Sequence, residues 1–443
     1  MDRIAKRPRM RLAALGIIAC LVGAAHAAQP RQVADIVIEW NTLATNAVEG
    51  ITAASPPGLP PYVEARLYAM TFVAMHDSLN AVQRRFAPYA CETRQPGASP
   101  TAAAATAAHD VLVALLPGAA STFDAAYATQ MADEPDAGRP RHDAGVQLGQ
   151  RCAAAILGRR ANDGAAAALE PYVPDAFPGA YRPTFPFDQP ELPPGTPFPL
   201  YGFVADPQWV RVKPFVLDSG AQFRAPPPYT VVDIRYAIDV DEVQRYGAAV
   251  GSARTADQDE IALFWKENSP LGWNRVARGL AQARRLDGWE AARLFALLQL
   301  AEADAYLTSF DSKYHYRFWR PYTAIRLADV DANPFTHADP NWMPFDPVTP
   351  PVPDYTSAHS AAGGAARAVL SRFFGTDAVS FDLASTTLPG TTRHYASFTE
   401  AADENGLSRI LIGYHFRLAV EAGRRQGESV GAWVFEHALV PWH

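Results

Sequence analysis

Three short stretches of this chain hold the residue types from which an oxyanion site could be built. The first runs from Lys313 to Pro321 and contains Arg320. Lys313 and Arg320 are seven residues apart, two turns of a helix, so both cations would leave one face about 10 Å apart along the axis. An ammonium and a planar guanidinium fork at that spacing can clamp one oxyanion. Pro321 disfavours helical backbone at Arg320 and should close the helix there. The second stretch, Ser357-Ala358-His359, opens an Ala-rich segment that runs to about Phe374. Thr356 or Ser357 is suited to cap that helix, and the unpaired N–H groups and dipole of a helix start favour an anion. The third holds Ser408-Arg409 and, six residues after Arg409, His415. On an unbroken helix Arg409 and His415 would lie about 240° apart. If both face one site, the backbone must turn between them, and Gly413 is the natural place. Taken singly, each stretch also fits an ordinary role: a solvated helix face, a capped helix with a surface histidine, a core helix.

The elements that would carry these residues are helical. Apolar residues recur at helical spacing over 62–86, where Ala65, Leu67, Met70, Val73, Leu79 and Val82 mark one stripe around His76-Asp77. Residues 33–50 hold a shorter amphipathic segment, and 101–117 and 140–160 are Ala-rich and helix-favouring. Helices are expected again over about 233–250, 256–267, 273–286 and 288–319, the last with a buried neighbour along Leu294, Leu297, Leu298, Ala301 and Ala305. Strand patterns are sparse and no internal repeat is visible. The reading is therefore all-α, one large helical bundle domain over 28–443. Residues 171–228 are rich in Pro and aromatics; with so many apolar anchors they read as an ordered arm on the helical body, not a linker.

Composition narrows the function classes. The formal net charge of the chain is −7. Met1–Ala27 reads as a secretory signal peptide: basic residues from Arg3 to Arg11, an apolar run over Leu12–Ala25, and a cleavage site at Ala25-His26-Ala27. A lipoprotein-type cut at Cys20 is a second choice. Losing that basic leader makes the remainder more acidic, which argues against a nucleic-acid partner. An anion site must then be a local positive pocket. No later run is long enough to span a membrane, and a periplasmic or secreted location is expected. Cys91 and Cys152 follow the leader; they could form a disulfide in an exported protein or stay as two buried thiols. No zinc-type Cys/His cluster or Gly-rich nucleotide loop is present.

The order Lys-x6-Arg-Pro, then Ser-x-His at a helix start, then Ser-Arg-x5-His resembles the bacterial vanadium-dependent haloperoxidases. They share this site with class A acid phosphatases within the type 2 phosphatidic acid phosphatase superfamily. The motifs cover about 304–326, 350–376 and 404–421. The likeness extends through Trp40-Asn41, Met75-His76-Asp77, Phe264-Trp265 and Trp273-Asn274-Arg275. It implies a helical bundle of the vanadium haloperoxidase type and vanadate as cofactor. Lys313, Arg320 and Arg409 would bind the vanadate oxygens, with Ser357 donating through its hydroxyl and Ala358 through its backbone N–H. His415 would supply the metal ligand. His359 would act as acid/base and Lys313 would polarise bound peroxide. Phe310 and Val352 match positions that line the halide pocket, and core packing explains them equally well.

Two residues depart from the pattern. Ala358 stands where the family usually has Gly, which keeps the N–H but adds a methyl. Ala419 stands four residues after His415, where the family usually has Asp. Its loss is expected to weaken support for His415 and to count against efficient phosphoryl transfer. The expected function is a vanadate-dependent haloperoxidase that uses hydrogen peroxide, halide and an organic acceptor. The alternatives are an acid phosphatase with His415 as nucleophile and a non-catalytic oxyanion-binding protein. The halide, the acceptor and the oligomeric state, a homo-oligomer included, stay open.

Overall fold

The computed structural model describes residues 32–54, 58–190 and 201–442, so the expected leader lies outside the described residues. Helices dominate because the apolar residues recur at helical spacing and the starts are well marked. In chain order they are α1 (Val33–Ala54), α2 (Pro61–Val82), α3 (Pro100–Leu115), α4 (Ala120–Ala132), α5 (Pro140–Arg160), α6 (Ile234–Tyr246) and α7 (Ala256–Phe264). There follow α8 (Ser269–Ala283), α9 (Gly288–Tyr316), α10 (Pro321–Arg326), α11 (Ala358–Phe374), α12 (Phe398–Leu411) and α13 (Arg417–His437). Proline stands in the first turn of α2, α3, α5, α8 and α10, where its missing N–H costs nothing. Capping boxes open α7 at Thr255 and α9 at Asp287. Among the described residues the only sheet is a two-stranded antiparallel hairpin, β1 (Phe381–Ala384) with β2 (Thr392–Tyr395), in the register Phe381↔Tyr395. The all-α expectation holds.

The centre of the bundle is α9. Every residue from Ala291 to Phe310 is buried, so this stretch of the helix has no solvent face. It packs against α1, α2, α8, α11 and α13. Against α11, helix α13 comes so close that backbones touch. A Cβ added at Gly423, Gly427 or Gly431 would lie 2.3, 1.9 and 2.5 Å from the carbonyl oxygens of Ser357, Ala361 and Ala365. The Ala/Gly-rich composition of α11 and the four-residue glycine spacing of α13 are two halves of one contact.

Several boundaries differ from expectation. Helix α2 ends at Val82, α6 at Tyr246 and α9 at Tyr316, each a few residues early. Helix α4 was not foreseen; only Phe123 and Gln130 of it are buried, too few to print a stripe on the sequence. Cys91, beyond α2, and Cys152, in α5, form a disulfide with a Cα–Cα distance of 5.1 Å. Residues 201–228 and 171–190 lie against the helices, with Tyr181, Phe187, Trp209 and Phe215 buried. Three successive N–H groups, of Phe215, Val216 and Leu217, donate to Asp304 of α9. Not every aromatic anchors: Phe177 and Tyr201 are exposed. Phe198 falls outside the described residues. Among the described residues no single helix is long and apolar enough to cross a membrane.

Candidate active site

Lys313 and Arg320 do meet, though not on one helix face as the spacing suggested. Helix α9 stops at Tyr316 because Arg317 takes a left-handed conformation (φ 48°). Arg320 follows on extended backbone (φ −83°, ψ 157°), and Pro321 begins α10 instead of ending α9. The arm holds this extended segment in place. Tyr181 N–H donates to the Arg317 carbonyl at 2.7 Å, and Trp319 N–H donates to the Gly179 carbonyl at 2.9 Å. The irregular arm thus positions a site residue, which helical periodicity could not reveal.

Both cations turn toward the loop 350–354. Lys313 Nζ donates to the carbonyls of Pro353 (2.7 Å) and Asp354 (2.9 Å). Arg320 Nε donates to Val352 O at 2.8 Å and Nη1 to Tyr414 O at 2.9 Å. That loop leads into α11, whose cap is Ser357, not Thr356: its Oγ accepts from the N–H of Ser360. Ser357 is itself pinned by its N–H to the Ala419 carbonyl of α13 at 2.9 Å. Ala358 is the first helical residue, where a backbone N–H has no partner within the helix.

Arg409 lies in the last turn of α12, and the chain reverses at Gly413 (φ 87°), as six-residue spacing required. The N–H groups of Tyr414 and His415 both fold back onto the Arg409 carbonyl, at 3.0 and 3.2 Å. A side chain at Gly413 would strike Gly247 O and Pro344, so the turn admits only glycine. His415 thereby reaches Arg320, whose Nη1 is 2.9 Å from Nε2. His359 Nε2 and Arg409 Nη2 share one acceptor, the Trp265 carbonyl, at 2.9 and 2.8 Å. Trp265 is fixed in turn by its indole N–H on Glu404. An incoming oxyanion would compete with that carbonyl for both groups.

Asp354 is the site residue that sequence reasoning missed. It is fully buried, and its Oδ1 lies 2.8 Å from His415 Nδ1. The expectation that His415 lacks a supporting carboxylate is therefore corrected: Ala419 indeed offers none, and Asp354 reaches the ring from the other side of the chain. The signals that could have found it were an acidic residue three positions before the cap Ser357 and the vacancy of charge at Ala419.

The electrostatics are lopsided. Lys313, Arg320 and Arg409 are almost wholly buried; Asp354 faces Arg320 and Lys313, and Asp346 acts on Arg409. Burial, then Arg320, pushes Lys313 well below the usual lysine range. Burial brings Arg409 down to about 10 and lowers Arg320. His415 is held neutral by burial and then by Arg320, Lys313 and Arg409; His359, by burial and then by Arg409. Burial raises Asp354 to about 7 against the opposing pull of Arg320 and Lys313. Three buried cations crowding one imidazole, beside a helix start, make a place in which a multiply charged anion relieves repulsion. The donors suit the oxygens of vanadate, and a neutral imidazole suits its metal. Phe310, a candidate for the halide pocket, packs on the ring of Tyr62 at 4.7 Å.

Comparison with known proteins follows the same line. Residues 293–443 match the family model described as the VCPO second helical-bundle domain. A vanadium chloroperoxidase of Curvularia inaequalis is 26% identical over 339 residues, 59% of this chain. The match covers 54% of that relative, so the chain spans about half its length. A bacterial vanadium-dependent iodoperoxidase structure aligns with a TM-score of 0.76 and 26% identity, covering 91% of this chain and 97% of its own. A holo-type bacterial vanadium-dependent chloroperoxidase aligns at 0.66 with 18% identity over 86% and 92%, a likeness of fold.

Proposed function

We propose that this chain, a relative of the bacterial vanadium-dependent haloperoxidases, binds vanadate around His415 and oxidises halide with hydrogen peroxide to a hypohalous acid equivalent. The observation that carries this reading is the convergence of three buried cations on one imidazole, that of His415. When bound, vanadate supplies the Lewis acid at which peroxide is activated toward halide. Lys313, Arg320 and Arg409 would hold its oxygens, with the Ser357 hydroxyl and the Ala358 N–H at the start of α11. His415 would offer Nε2 to the metal. His359, partly buried and tied to the Trp265 carbonyl, would move a proton at its ring nitrogen. Lys313 would draw charge from the peroxide oxygens. An oxidising, exported setting is part of the proposal, supported by the Cys91–Cys152 disulfide and the leader-like sequence.

The two histidines should separate in a single experiment. His415 would provide the bond to the metal, whereas His359 would act on an exchangeable oxygen. His415→Ala should lose defined vanadium coordination, read by vanadium-51 NMR, together with peroxidase activity. His359→Ala should still bind vanadate and turn over slowly, by about 10²-fold or more. Normal vanadium coordination in His415→Ala would overturn the assignment. Cleavage of a phosphomonoester that vanadate merely inhibits would replace it with the acid phosphatase reading, in which His415 attacks phosphorus. Oxyanion binding with neither activity would leave the non-catalytic alternative.

A further inference from the structure

We propose that Asp354 is the positioning residue for His415, holding the imidazole by Nδ1 so that the Nε2 lone pair faces the anion cradle. The inference rests on the vanadate reading of the site and specifies how this chain maintains it without a carboxylate at position 419. Asp354 joins three site residues at once. Its Oδ1 is 2.8 Å from His415 Nδ1 and 3.9 Å from Arg320 Nη1, and its backbone carbonyl accepts from Lys313 Nζ at 2.9 Å. The carboxylate is wholly buried and neither oxygen makes a hydrogen bond of good geometry, so it is left to its close approach to His415, the charges of Arg320 and Lys313, and the nearby N–H of Phe416.

The two sides of the His415 ring then have fixed meanings. A carboxylate beside Nδ1 favours the proton on that nitrogen. The guanidinium of Arg320, 2.9 Å from Nε2 and farther from Nδ1 at 3.4 Å, can only donate, so it favours a lone pair on the nearer nitrogen. Both neighbours select one tautomer, the one in which Nε2 can ligate a metal. Asp354 and Ala419 line the same crevice, together with Phe416, immediately after His415 in sequence. A carboxylate on α13 at position 419 would enter the space that Asp354 now serves from the loop before α11. In this chain the supporting charge is attached to the loop that also receives Lys313 and Arg320, so the orientation of His415 and the placement of the cations depend on one segment.

The test begins with vanadate titration of the wild type by calorimetry and vanadium-51 NMR, neither of which needs turnover. Asp354→Ala and Asp354→Asn should weaken affinity by about 10- to 100-fold, the usual cost of losing a ligand-orienting partner. Asparagine should lose less, since its amide oxygen can still accept from Nδ1–H. In a His415→Ala background, Asp354→Asn should cost nothing further, because its effect passes through the ring. Asp354→Ala combined with Ala419→Asp should recover affinity. In vanadate-free protein, long-range nitrogen-15 spectra should show the Nδ1–H tautomer of His415 in the wild type and its loss in Asp354→Ala. Unchanged affinity and tautomer in Asp354→Ala, or an equal loss in Asp354→Asn with and without His415, would overturn the proposal. A wild type that binds no vanadate would overturn both this inference and the reading on which it rests.

Discussion

Glu64 shows that the interior of this protein accepts an ionisable group outside the site. It lies on α2, fully buried, with Oε1 accepting from Asn268 at 2.5 Å and Oε2 without a partner. Burial, followed by the neighbouring Glu267 and Glu49 against the opposing Asn268 contact, raises its pKa from 4.5 to about 8. A raised folded pKa means that the folded state binds the proton more tightly than the unfolded chain. Its stability contribution is whole below pH 4.5 and is lost as pH rises through about 8, at roughly 1.4 kcal/mol per pH unit across that window. Glu64→Gln, neutral at every pH, should match the wild type in denaturant near pH 4.5 and exceed it by a few kcal/mol at pH 8.5. An equal margin at both pH values would show that Glu64 is charged in the folded protein. Residue by residue, the site's donors were legible because Lys313, Arg320, Ser357, Arg409 and His415 stand at fixed spacings. Asp354 was not, because its role depends on contact with a residue 61 positions away, and the Trp265 acceptor is a backbone atom that any residue could supply.

At the level of elements, the site depends on how α11 and α13 meet. Helix α11 was readable as a helix from its alanines and its capping serine. Its close approach to α13 was written in Gly423, Gly427 and Gly431, yet no single-helix pattern says which surface such glycines face. The contact differs along its length. At Gly427 an added methyl would lie 1.9 Å from the carbonyl of Ala361, in mid-helix. At Gly423 it would meet Ser357, the residue that caps α11 at the cradle. Gly427→Ala should therefore lower stability by about 3 kcal/mol, as overpacking does. Gly423→Ala should, in addition, weaken vanadate binding by displacing Ser357 and the first N–H groups of α11. Calorimetric stability and vanadate titration of both variants separate the effects; normal vanadate affinity in Gly423→Ala would mean that the helix start is not part of the cradle. The two-turn spacing of Lys313 and Arg320 teaches the opposite lesson. It suggested the right pair for a wrong reason, since the left-handed Arg317 ends α9 before Arg320 is reached.

At the scale of the whole molecule, the site is built where α9, the loop before α11, and the turn between α12 and α13 converge, with the arm bracing Arg320. The all-α class followed from periodicity spread over the chain, and so was legible. The arm's function was not, because its hydrogen bonds to Arg317 and Trp319 follow no repeat. The sequence carries a net charge of −7, yet three cations, Lys313, Arg320 and Arg409, lie buried together at this one place. Such a design makes sense if an anion completes the site. The most direct measurement is peroxide-dependent oxidation of iodide, bromide and chloride by vanadate-free protein as orthovanadate is titrated in. The account predicts no oxidation without vanadate and, for at least one halide, activity that saturates at one vanadate per chain. Full occupancy by vanadate with no oxidation of any halide would contradict it.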